Sequence, residues 1–119
     1  MNEFYTPYDI VWIKKVTNKE TGVAYMNEPD DFILHISNQF KNEILKPKVG
    51  EIILLYQNIR GKGKAFTHLV IPVNNIKEDT KRENFSFGRK VQTIALADND
   101  NFIYIQDTIW KNVDFKLIS

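Results

Sequence analysis

A chain of 119 residues, 43% hydrophobic and 26% charged, has the size and make-up of one globular domain spanning residues 1–119 and is not disordered. It has no cysteine, which excludes disulfides, thiolate catalysis and Cys-ligated zinc. Its formal net charge of +1 gives no global field toward an anionic partner, so any nucleic-acid binding must rest on a local patch.

Taken in order, Met1–Tyr5 has neither a basic start nor an apolar run, so no secretory signal is expected. Apolar runs such as Ile52–Tyr56 are far too short to span a bilayer, and a soluble, cytoplasmic protein with no membrane partner is expected. Ile10–Val16 is β-branched and aromatic and reads as a strand, followed by a polar turn over Thr17–Gly22. Pro29-Asp30-Asp31 reads as a helix start. Phe32, Ile33, Ile36, Phe40 and Ile44 recur at three- and four-residue spacing, which predicts a helix ending near Lys46 because Pro47 disfavours helical geometry before it.

Ile52–Tyr56 is apolar on both faces and predicts a central strand covered on both sides. Arg60–Lys64 reads as a basic turn with two glycines. Ala65–Val73 reads as a strand with Phe66, His68 and Val70 on one face and Thr67, Leu69 and Ile71 on the other. Asn74–Asn84 reads as a long loop, and Lys90–Ala97 as a strand. Asp98–Asn101 reads as a hairpin turn before short strands at Phe102–Gln106 and Val113–Ile118. Many strands broken by one early helix predict a mainly β (α+β) fold. The expected architecture is a small mixed or antiparallel β-barrel with one short helix covering an edge or end. The expected core includes Ile10, Trp12, Ile36, Phe40, Ile52, Leu54, Leu69, Ile71, Ile94, Ile103 and Phe115.

The residues assemble no catalytic motif. Ser37, Ser86 and Ser119 lie in no GxSxG turn. His35 and His68 have neither HxxxH nor HExxH spacing, so neither metal nor cofactor is expected. His35 reads as a boundary residue. His68 is either a satisfied core histidine or an imidazole lining a pocket. Asp30, Asp31, Asp98 and Asp100 stand where helix starts and turns favour acids. Asp98–Asn101 lacks the glycine and terminal glutamate of a calcium loop. Gly61-Lys62-Gly63-Lys64 lacks the spacing and following helix of a nucleotide-hydrolysing phosphate loop. It is either a solvated turn or a phosphate-contact loop carrying Arg60, Lys62 and Lys64. A second basic stretch holds Lys77, Lys81, Arg82, Arg89 and Lys90 with Phe85 and Phe87 interleaved, a composition suited to stacked bases and phosphates, although Glu78, Asp79 and Glu83 dilute its field.

The order of elements carries a resemblance. A strand with a tryptophan, Ile10-Val11-Trp12-Ile13, precedes a helical segment. The entry Lys46-Pro47-Lys48-Val49-Gly50-Glu51 then leads into the apolar strand Ile52–Tyr56, followed by a glycine turn and the strand Ala65–Val73. This resembles the PUA-like superfamily, and within it the EVE and ASCH type of domain, over about the first two-thirds of the chain. Glu51 stands where that group usually has Asp. The resemblance implies a pseudo-barrel that binds RNA or modified DNA bases in a cleft. On that reading Trp12, Tyr56, Phe66 and His68 line the pocket, and Arg60, Lys62 and Lys64 contact phosphate. The expected function is a non-catalytic nucleic-acid or modified-base reader. The alternatives are a protein–protein interaction or accessory domain of a larger complex, using a strand edge or aromatic patch, and an enzyme with a small-molecule pocket.

Overall fold

A computed structural model describes residues 9–17, 24–25, 28–59, 63–97, 103–104 and 116–118. Strand β3 (Ile52–Ile59) organises it, lying parallel to β1 (Ile10–Lys15) and antiparallel to β4 (Gly63–Pro72). Beyond β4 comes β6 (Phe87–Leu96), which pairs with β2 (Asp31–Ile36) and with the short β5 (Glu78–Asp79). The strand β7 (Ile103–Tyr104) pairs with β4, and β8 (Lys116–Ile118) runs parallel to β1. The sheet order is therefore β2-β6-β4-β3-β1-β8. This is a mainly β fold whose curled, mixed sheet forms a half-barrel.

The central-strand expectation for Ile52–Tyr56 matches what is found. Ile53, Leu54 and Leu55 are all buried because both faces of the sheet are covered. Ile53 and Leu55 pack with Trp12, Val16, Phe32, Leu34, Ile36, Ile44, Val70, Val91 and Ile118 on one face. Leu54 packs with Ile10, Phe66, Leu69 and Ala95 on the other. Of the other expected core residues, Ile52, Ile71 and Ile94 are half-buried. The side chain of Ile103, Phe115, and the hairpin at Asp98–Asn101 lie outside the described residues.

The predicted helix is corrected. Residues Asp31–Ile36 form β2, and only Asn38–Leu45 is helical, as a 3-10 helix. The four-residue spacing of Phe32, Ile36, Phe40 and Ile44 fits a helix, but four is also a multiple of two. Leu34, buried between Phe32 and Ile36, makes the true period two. Phe40 has non-helical dihedrals (φ −113°, ψ 20°) and is 37% exposed, while Ile44 holds the 3-10 helix onto the core. The long loop expected over Asn74–Asn84 contains β5, and β6 begins three residues earlier than expected.

Gly88 shows how tightly β2 and β6 are fitted. A Cβ there would lie 2.6 Å from Ile33 Cγ2 and 2.7 Å from the Leu34 carbonyl oxygen, so only glycine fits. The entry motif also has a physical basis. Gly50 has φ +87° in a turn closed by Glu51 N–H donating to Lys48 O, as a type II turn requires at its third residue. The Glu51 carboxylate then accepts from Lys48 N (2.7 Å) and from Trp12 Nε1 (3.1 Å), tying the turn to β1.

Candidate functional site

A β-bulge decides where the expected pocket residues go. Leu55 opposes His68 and Tyr56 opposes Phe66, so Thr67 is an extra residue in β4. The extra residue reverses the alternation that the sequence suggested. Phe66 and Tyr56 belong to the face of Leu54, whereas His68 packs against Tyr25 and Phe32 on the face of Trp12. The four aromatic side chains Trp12, Tyr56, Phe66 and His68 are thus divided between two faces and line no common cleft.

His68 lies in a hydrogen-bonded chain that the sequence did not reveal. Its Nε2 faces the Tyr25 carbonyl oxygen at 3.1 Å, which can only accept, so this nitrogen carries the proton. Its Nδ1 lies 2.7 Å from Thr67 Oγ1, brought to the same face by the bulge. Thr67 Oγ1 accepts from Gln57 Nε2 (3.1 Å) and donates to His68 Nδ1 in the neutral ring. Gln57 closes onto the backbone of Ala24 through Oε1 (2.7 Å) and Nε2 (3.2 Å). Thr67, Gln57 and His68 are all buried, and no buried side-chain polar atom lacks a partner among the described residues. The network fastens residues 24–25 onto the sheet. Tyr25 itself has φ +63°, an uncommon conformation for an aromatic residue. It is held there by stacking on Phe32 (4.7 Å between centroids) and by its hydroxyl, which accepts from His35 N–H (3.1 Å).

Both imidazoles lie below their ordinary value of 6.5. For His68 the cause is burial, opposed by its bond to the Tyr25 carbonyl. For His35 burial again leads and the bond to the Phe85 carbonyl opposes it, with Arg82 lowering and Glu28 raising. Folding therefore favours the neutral rings. Their stabilising contribution is present above pH 6.5 and is lost as pH falls from there through the lower folded values. The urea midpoint is expected to drop between about pH 7.5 and pH 5, and His68→Gln to shrink that drop. Glu51 and Asp79, held low by hydrogen bonds from Lys48 and Lys81 respectively, titrate below this window. A midpoint unchanged over the range would contradict the assignment.

Of the expected phosphate contacts, Arg60 and Lys62 lie outside the described residues, and Lys64 is exposed at the start of β4. Lys64 stands opposite Asn58 and two residues from Phe66, so it shares a face with the half-buried Tyr56. Trp12 is buried, its indole N–H engaged by Glu51 and its ring overlain by Lys116 Nζ at 5.5 Å. In the second basic stretch, Arg89 is only 1% exposed and turns inward. Lys81 pairs with Asp79 at 3.1 Å. Phe87, half-buried, has Lys41 and Lys77 over its ring.

Among the described residues no three metal-binding side chains converge, and no helix is long and apolar enough to cross a membrane. Comparison with known proteins finds no matching family model, no similar curated protein and no similar solved structure.

Proposed function

We propose that this chain is a non-catalytic, PUA-like binding module that reads RNA or modified DNA bases at the Ile59/Gly63 end of the β3–β4 hairpin. The observation that carries the reading is the shared face of Tyr56 and Lys64, with exposed Asn58 directly opposite Lys64. A half-buried ring at the surface offers a base a stacking edge or face, and a cation two to three residues away meets the adjoining phosphate. Phe66 and His68 act beneath that surface. Phe66 backs Tyr56 across the ladder, and His68 holds the opposite face rigid.

The test is fluorescence anisotropy with labelled RNA, single-stranded DNA and base-modified duplexes at low salt. Lys64→Ala is expected to weaken all single-stranded ligands alike and to reduce the log–log salt slope by about 0.7, the share of one phosphate. Tyr56→Ala is expected to cost about 1–3 kcal/mol and to remove preference among bases. No binding to any ligand at low salt would rule out the reading.

One observation favours a second reading, a protein partner added to the sheet. Strand β2 ends the sheet, and Thr93 N–H donating to Asp30 O fixes its hydrogen-bonding register with β6. In that register the backbone of Asp31, Ile33 and His35 points away from β6. Tyr25 occupies the His35 N–H, leaving the Asp31–Ile33 end as the stretch a partner strand would meet.

A further inference from the structure

We infer that Lys41, Asn42 and Lys77, gathered around Phe87, form a binding site for a phosphate monoester. The site is independent of the hairpin reading, because its residues come from the 3-10 helix, the segment before β5 and the start of β6. The Nζ atoms of Lys41 and Lys77 lie 5.2 and 5.3 Å from the centroid of the same ring. Lys77 Nζ also donates to Asn42 Oδ1 at 3.0 Å, which leaves the Asn42 amide N–H₂ available as a donor beside the Lys77 ammonium. The exposed Lys46 and Lys81 each have a carboxylate within 4.0 Å, whereas among the described residues neither Lys41 nor Lys77 does. One ring thus attracts two cations, and among the described residues no carboxylate lies within 4.0 Å of either to offset their charge.

The arrangement selects among anions. A monoester phosphate carries close to two negative charges at neutral pH and three terminal oxygens. Two ammonium groups and one amide N–H₂ match that charge and that number of acceptors. A phosphodiester, with one charge and two such oxygens, matches only half of the charge. Because the cations lie over the face of Phe87, the ring positions them and does not offer a stacking surface. Recognition therefore rests on the phosphate alone, free or at the end of a strand.

The test is a ¹⁵N-correlation NMR titration of the full chain at constant ionic strength. The probes are inorganic phosphate, phenyl phosphate, dimethyl phosphate, and an oligonucleotide with and without a 5′-phosphate. Saturable shifts centred on residues 41, 42, 77 and 87 are expected with inorganic phosphate and with every monoester. Lys41→Gln and Lys77→Gln are each expected to weaken binding about tenfold, which is about 1.4 kcal/mol. Lys41→Arg is expected to retain it. Both lysine positions are solvent-accessible, so the variants leave the fold intact, and the unchanged remainder of the spectrum verifies this. Equal affinity for inorganic phosphate and all monoesters assigns the site to a free phosphate, and tighter binding of the 5′-phosphorylated oligonucleotide assigns it to a strand end. Dimethyl phosphate binding as tightly as phenyl phosphate would overturn the inference, as would phosphate shifts that survive both glutamine substitutions. Failure at the hairpin with success here, or the reverse, separates this site from the nucleobase reading.

Discussion

Arg89→Met is expected to lower the unfolding free energy by about 3–5 kcal/mol, measured by urea denaturation at neutral pH. The guanidinium is buried and reaches three chain segments at once. Its Nε donates to Asn74 O (2.8 Å) and its Nη2 to Asn75 Oδ1 (2.8 Å), while Nη1 donates to Ile44 O (3.2 Å) and to Pro47 O. Ile44 O lies in the last turn of the 3-10 helix, where carbonyls have no partner of their own. Burial lowers the guanidinium pKa, a shift that the distant Glu51 charge opposes, yet the group stays charged in the neutral range. Methionine keeps much of the aliphatic volume, so the loss reports the stranded carbonyls more than a cavity. Arg89→Lys is expected to recover only part of it, since one ammonium cannot span the fork of four acceptors. If Arg89→Met proved neutral, the desolvation of the buried charge would be cancelling its hydrogen bonds, and the clasp would not be holding the helix exit.

Arg89 also shows where the chain is legible and where it is not. Residue types locate strands well when the pattern is unambiguous. The apolar Ile52–Tyr56 run marks the central strand, and Gly50 and Glu51 mark its entry, because a positive φ favours a residue without a Cβ and the turn amide needs a carboxylate. The pattern fails where two periods coincide, as for Phe32, Ile36, Phe40 and Ile44, whose spacing suits helix and strand alike. It fails again at a bulge. Nothing local to Ala65–Val73 announces that Thr67 will be extra, yet that residue moves His68 to the face opposite Phe66 and divides the expected pocket. Composition cannot separate an inward-turned Arg89 from outward lysines, because only the acceptors at residues 44, 47, 74 and 75, distant in sequence, determine which way it points. The contact of Lys41 with Phe87 is hidden for the same reason: 46 positions separate them, and the sheet and 3-10 helix bring them together.

Leu54→Ala is expected to cost about 2–5 kcal/mol, with an unchanged dependence on denaturant. Leu54 is fully buried at the centre of the second core face, with Ile13 and Leu69 as its cross-strand partners. The price of truncation depends on whether neighbours can close the space. Here they cannot do so easily. The backbones on both sides are locked into ladders with β1 and β4, and β4 is fixed in turn by its bulged register with β6. Leu117 supplies the internal comparison. It has the same side chain but is 61% exposed on β8 at the end of the sheet, and Leu117→Ala is expected to stay within about 0.5 kcal/mol of the parent. A loss below about 1 kcal/mol at Leu54 would mean that the second face can collapse around a cavity. In that case the Tyr56–Lys64 surface, which stands on the same packed layer, would lack the rigid support that base stacking requires.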